Sequence, residues 1–177
     1  GVYYKVGVTE SLITTTSATS LTWTVQDDAV AGSVTIVLKD ADANHPLATT
    51  SSTAFAVTGT LAWDSVPSGT ITVADEPSIS WVKGGNIPDV NIYYDSGAGD
   101  VLIAASLTGT GITWPVPTGA LGNTVTLKVK DADPTHVLTE TESTSFTVKG
   151  ALNWGSTPSG TITVGDQPTV NWTKTAS

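Results

Sequence analysis

Apolar and polar residues alternate over short runs along most of the chain, and a period of two is the signal of a half-buried strand. Val125, Leu127 and Val129 fall on one side of such a run, with Thr126, Lys128 and Lys130 on the other. Val34, Ile36 and Leu38 give the same pattern upstream, and Ser78-Ile79-Ser80-Trp81 places Trp81 inward. Shorter strands are expected at 70–73, 90–94, 101–105, 111–116 and 143–148. Turn-forming clusters separate them at Pro67-Ser68-Gly69, Gly84-Gly85-Asn86, Ser96-Gly97-Ala98-Gly99 and Pro117-Thr118-Gly119. No segment has a helical period.

The pattern repeats. Residues 61–82 read LAWDSVPSGTITVADEPSISWV and residues 152–173 read LNWGSTPSGTITVGDQPTVNWT, 91 residues apart with 13 of 22 positions identical. The same offset links Trp23 to Trp114, His45 to His136, Phe55 to Phe146 and Lys39-Asp40-Ala41-Asp42 to Lys130-Asp131-Ala132-Asp133. Tyr3-Tyr4 matches Tyr93-Tyr94 at an offset of 90, so one residue is gained or lost before Trp114. Self-similarity at a fixed period is the signature of a repeat architecture. About seven short strands per repeat, with an inward Trp on an early strand, is the pattern of an immunoglobulin-like sandwich. The expected fold is therefore all-β, as tandem immunoglobulin-like β-sandwiches of roughly ninety residues each. The expected organisation has the C-terminal part of one repeat at 1–59, a complete repeat at 60–150 and the N-terminal strands of a further repeat at 151–177, the terminal ones incomplete.

Composition narrows the function classes. Charged residues make up 13% of the chain, about half the usual share of a globular domain. The net charge is −9, with seven Lys and no Arg. Nucleic acid and anionic membrane surfaces call for clustered cations, so neither is an expected partner. No apolar run reaches the length of a membrane span. Cys is absent, which removes disulfides and thiolate chemistry and leaves each core to hold by burial.

Several blocks follow one another in an order with a known likeness: Pro67-Ser68-Gly69-Thr70-Ile71-Thr72-Val73, Ile79-Ser80-Trp81, Val90-Asn91-Ile92-Tyr93-Tyr94, Ile112-Thr113-Trp114-Pro115-Val116-Pro117 and Leu127-Lys128-Val129-Lys130-Asp131-Ala132-Asp133-Pro134. Together they resemble the Ser/Thr-rich, GPI-anchored (Kre9/Knh-type) domain of cell-wall proteins, which also occurs in large prokaryotic surface proteins. The resemblance covers residues 61–149 and part of each flank. It implies an immunoglobulin-like sandwich in a wall or envelope, linked to polysaccharide-rich surfaces, and carries no catalytic residues.

Asp40, Asp42, Asp131 and Asp133 are the candidate metal ligands. Two carboxylates at i and i+2 after a strand can converge on a hard cation such as Ca2+ once the chain turns. Asp75 and Asp166 lie near the start of each unit and could complete such a site. The plainer reading is a polar turn closing a strand. His45 and His136 then read as exposed turn residues. No Gly-x-Ser-x-Gly elbow is present and the Glu140/Glu142 pair is not repeated, so no enzymatic activity or other cofactor is expected. Trp81, Trp172, Trp23 and Trp114 are expected in cores. Trp63 and Trp154, beside the repeat boundary, are candidates for a wedge between domains; alternatively an exposed Trp63, or the outward member of Tyr93/Tyr94, could stack on a sugar ring.

A partial sandwich exposes apolar faces and open strand edges. Either the sequence is a window on a longer array, or the C-terminal strands of one subunit complete the N-terminal half-sandwich of the next, by strand addition. Trp63, Trp154, Val164, Val170, Trp172 and Tyr3 are the residues expected at that subunit or domain junction. The expected role is an extracellular, cell-surface structural or adhesive repeat protein forming a stalk, sheath or filament. Its partners are then copies of itself joined head to tail, or adjacent repeats. The alternative is a carbohydrate-binding module on a surface polysaccharide.

Overall fold

The computed structural model describes residues 1–42, 44, 48–137 and 139–175. Among them are sixteen strands and two single-turn 3-10 helices, so the chain is all-β. No helix among the described residues is long and apolar enough to cross a membrane.

The middle of the chain makes two facing sheets. Strands β6 (Thr60–Ser65), β8 (Ser78–Gly84) and β11 (Gly111–Thr113) form one, in the order β11-β8-β6. The other is β10-β9-β12-β14-β7, built from β7 (Thr70–Thr72), β9 (Val90–Asp95), β10 (Asp100–Leu107), β12 (Gly122–Asp131) and β14 (Phe146–Lys149). A short β13 (Glu140–Glu142) also pairs with β12. Between β6 and β7 the chain changes sheets at Pro67-Ser68-Gly69, where Gly69 takes φ +68, a left-handed conformation that suits glycine. β7 then runs parallel to β14 while the other pairs are antiparallel. Ile79, Trp81, Val90, Ile92, Trp114, Val125, Leu127 and Val129 fill the space between the sheets. β12 buries every second residue from Val125 to Asp131, the alternation its sequence predicts.

Two expected strands come out shorter for identifiable reasons. β11 stops at Thr113 because Pro115 and Pro117 have no N–H to give a ladder. β14 starts at Phe146 because the Ser143 side chain takes up a ladder position, its Oγ accepting the Leu127 N–H at 2.9 Å.

Among the described residues, the N-terminal segment makes one sheet. β1 (Val2–Val6), β2 (Thr9–Thr14), β3 (Ala31–Lys39) and β4 (Thr49–Ser51) lie in the order β2-β1-β3-β4, with β5 (Phe55–Val57) also on β3. It is the counterpart of β9, β10, β12 and β14, and the register is the same. Tyr4 faces Ile36 as Tyr94 faces Leu127, and Val2 faces Leu38 as Ile92 faces Val129. At the C-terminal end, β15 (Ala151–Ser156) and β16 (Asn171–Thr175) form a two-stranded hairpin corresponding to β6 and β8.

The first sheet is fixed to the end of the sandwich. Gly32 donates its N–H to Thr135 O at 3.2 Å, and Asn86 donates to Asp27 O at 2.9 Å. Thr139 Oγ1 donates to Gly59 O at 3.3 Å. A Val30 methyl sits so close to Gly85, at φ +83, that any Cβ there would lie 2.7 Å away. These contacts use the β8–β9 turn and the loop after β12, both at the Asp131 end of the sandwich.

Candidate functional site: two uncovered apolar faces

The terminal hairpin has the register of its counterpart, residue for residue. Leu152 faces Lys174 as Leu61 faces Lys83, Trp154 faces Trp172 as Trp63 faces Trp81, and both hairpins slip by one residue after the Trp pair. The turn before β16 is also reproduced. Asp166 accepts the Thr163 N–H at 2.8 Å, as Asp75 accepts that of Thr72 at 2.7 Å. So the local sequence alone is enough to shape this hairpin.

Burial separates the two hairpins. Leu61 is 9% exposed and Trp81 1%, whereas Leu152 is 76% and Trp172 63% exposed. Val73 is buried and Val164 is fully exposed; Ile79 is buried and Val170 is open. Leu152, Asn153, Trp154 and Trp172 enclose a half-open recess of about 310 Å³. The expectation that Trp172 is a core residue is corrected here: among the described residues no second sheet covers its face. Trp63, by contrast, is half-buried in its own sandwich, edge-on to Trp81 at 6.3 Å between ring centres.

The first sheet corresponds to the β9–β12–β14 sheet of the middle sandwich. Its inner face has Val2, Tyr4, Val34, Ile36 and Leu38 on β1 and β3, with Trp23, Phe55 and Val57 around them. Tyr4 stacks on Trp23 at 5.3 Å and Trp23 meets Phe55 edge-on at 6.5 Å. The complete core has the same trio in Tyr94, Trp114 and Phe146, at 5.9 and 6.1 Å. Yet Leu38 is 48% exposed where Val129 is fully buried, and Phe55 and Val25 are exposed where Phe146 and Val116 are buried. Outward residues show no such split: Leu12 and its counterpart Leu102 are 57% and 52% exposed. On the inner face Tyr4 and Val34 are buried like their counterparts Tyr94 and Val125, so the split falls on Leu38, Val25 and Phe55. Tyr3 lies on the opposite face, under Lys39 Nζ at 5.1 Å from the ring centre, as Tyr93 lies under Lys130.

The candidate metal ligands serve as turn acceptors. Asp40 Oδ1 accepts the Asp42 N–H and Asp42 Oδ1 that of Asn44, each at 2.9 Å. Asp131 Oδ1 accepts the Asp133 N–H at 2.9 Å, and Asp133 Oδ1 accepts both the N–H and hydroxyl of Thr135. Those two hydrogen bonds hold the Asp133 carboxyl below its ordinary pKa. His136 is not an exposed turn residue: its side chain is 6% exposed, with Nδ1 2.7 Å from Asp131 Oδ2. His45 lies outside the described residues. Among the described residues no group of three or more His, Asp or Glu side chains gathers in a way that could hold a metal ion.

Neither a known protein family nor a curated protein matches the sequence. Among solved structures the chain is similar to Sidekick-1 immunoglobulin domains 1–4, with 11% identity and a TM-score of 0.32. The likeness covers 90% of this chain and 45% of that one, so the chain spans less than half the length of that structure.

Sequence reading missed the residues that join the first sheet to the sandwich: Asp27, Val30, Gly85, Asn86 and Thr135. Gly84-Gly85-Asn86 was legible as a turn. That Gly85 also had to be bare so that Val30 could approach depends on a segment some fifty residues away, and no local pattern encodes it.

Proposed function

We propose that this chain is a structural or adhesive unit of an extracellular, cell-surface array of immunoglobulin-like sandwiches of roughly ninety residues each. Neighbouring units, whether further copies or adjoining repeats, complete one another's sandwiches and extend a stalk, sheath or filament. The observation that carries the reading is the hairpin Leu152–Trp172 contrast: the same side chains that are core at Leu61 and Trp81 are open at Leu152 and Trp172. An apolar face of that kind marks an interaction site. A sheet face meeting a hairpin is a heterologous contact, and heterologous contacts propagate when they do not close. The hydroxyl-rich, weakly charged and Cys-free composition suits a surface sandwich, and the backbone hydrogen bonds at the Gly32–Thr135 junction suit a stiff rod. The reading is non-catalytic and needs no cofactor or cation.

Light scattering and electron microscopy of the 177-residue chain test it. Concentration-dependent strings are expected, and Trp172→Asp is expected to abolish them while leaving the middle sandwich folded. A chain that stays monomeric at every concentration, with Trp172 still open to quenchers, would sink the assembly reading.

A second reading rests on the recess between Trp154 and Trp172, whose indoles could stack on a sugar ring of a surface polysaccharide. Binding to a glycan array, lost in Trp154→Ala but kept by a chain that does not assemble, separates this from the first reading.

A further inference from the structure

We infer that the partner of the uncovered first sheet is the 152–173 segment of a second copy of this chain, docked in one defined register. This rests on the assembly reading above and adds to it the occupant, its orientation and its residue pairs. The middle sandwich displays the completed arrangement. β7 lies parallel on β14 with Thr147 opposite Thr70, Val148 opposite Ile71 and Lys149 opposite Thr72. β11 lies antiparallel on β8 with Ile112 opposite Ile79 and Thr113 opposite Ser78. Between these ladders, Trp114 and Val116 donate their N–H groups to Pro77 O and Asp75 O, and Ala74 donates to Val116 O.

Each of those partners has a counterpart in the chain that now stands alone. Residues 20–26 correspond to 111–117 and form no strand; residues 161–163 correspond to β7 and form none either. β5 corresponds to β14 and pairs only with β3. Carried across, the register sets Val57 beside Ile162 and Thr58 beside Thr163. It sets Leu21 opposite Val170 and Thr22 opposite Thr169, with Trp23 N–H on Pro168 O and Val25 N–H on Asp166 O. Docking thus adds two ladders and the bonds between them to backbone that lacks them, the mode of strand addition, while Trp154, Trp172 and Val164 cover Leu38, Phe55 and Trp23.

The geometry favours a second copy over the chain's own tail. The first sheet meets the sandwich at the Asp131 end of β12, through Thr135 and Asn86. β14 ends beside the opposite end of β12, where Val148 faces Gly122. Ten residues of β12 separate those ends, about 33 Å at the rise of an antiparallel strand. Only Gly150 lies between β14 and β15, too little chain for the hairpin to turn back along the sandwich and reach its own first sheet.

The chain has no Cys, so introduced thiols report without background. Leu21 and Val170 are both exposed and their counterparts Ile112 and Ile79 face each other directly, so substitutions there leave the formed core intact. A chain with Leu21→Cys is mixed with a chain with Val170→Cys under mild oxidation, and products are read by non-reducing electrophoresis and peptide mass spectrometry. The expected result is a covalent dimer bridging positions 21 and 170, with little dimer from a Leu12→Cys plus Val170→Cys mixture, since Leu12 faces outward. Association without that bridge, or with as much bridging at position 12, overturns the register and leaves the assembly reading standing. Absence of association at any concentration overturns both. A single chain carrying Leu21→Cys and Val170→Cys is expected to form chains of linked copies; a monomer with an internal bridge, independent of concentration, overturns the choice of a second copy.

Discussion

β6–β8 and β15–β16 are one hairpin written twice, with the same Trp pair, the same slip after it and the same aspartate closing the preceding turn. One copy lies in a core and the other in the open. The comparison teaches that local sequence is sufficient for the shape of the hairpin and for nothing beyond it. Side-chain burial, which supplies most of the stabilisation at roughly 25 cal/mol per Å² of apolar surface, depends on a facing sheet. The first sheet teaches the same from the other side: its aromatic trio is assembled, yet Leu38 stays 48% and Phe55 38% exposed.

The largest effect that can break this comparison is at the Trp pair. Trp81→Ala should cost the middle sandwich about 3–5 kcal/mol in denaturant unfolding. Trp172→Ala, studied dilute enough for single chains, should change it by less than ~0.5 kcal/mol. Equal costs would mean that β16 is already covered, and the contrast would fall.

Next comes the loop that anchors the first sheet. His136→Ala removes the side chain beside Oδ2 of the buried Asp131 carboxylate, at a cost of about 1–3 kcal/mol. Because Thr135 O receives the Gly32 N–H, amide exchange at Gly32 should quicken in this variant. Unchanged protection at Gly32 would show that the loop does not hold the two parts together.

A smaller difference lies in charge. In the sandwich, Lys128 and Lys130 both donate to Asp100, at 2.7 and 2.8 Å, and hold its carboxyl below the ordinary value. In the first sheet the corresponding Glu10 pairs with Lys39, and Val37 stands where Lys128 does. A depressed carboxylate stabilises above the unfolded pKa near 4 and loses that contribution as pH falls through the folded value. Asp100→Asn should therefore lower stability at pH 7 by up to ~1 kcal/mol, the scale of exposed ion pairs, and by progressively less as the pH is taken below about 4. A loss that grows on acidification would contradict the sign.

The smallest effect is at the turn before each second strand. Ala74 sits at φ +71, while its counterpart Gly165 takes φ +104 without a Cβ to strain. Ala74→Gly should leave stability unchanged or raise it by less than ~1 kcal/mol, relief of left-handed strain being offset by the freer unfolded chain. A clear drop in the melting temperature would locate the importance of Ala74 in its methyl contacts instead.

Alternation, turn clusters and the 91-residue offset were enough to read the strands of β12, β8 and β9, because those signals are local or repeat by themselves. The inward side of β12 was legible too, Val125-Leu127-Val129 facing the core as the period of two requires. Strand ends were less so where a side chain replaced a ladder bond, as at Ser143. The terminal hairpin marks the boundary between the two kinds of information. That residues 152–173 would copy residues 61–82 followed from the 91-residue offset. That His136 is buried on Asp131 and that Val30 needs a bare Gly85 were decided only in three dimensions. Register is set by neighbours along the chain and by backbone hydrogen bonds, whereas burial is a property of whatever surface arrives from elsewhere.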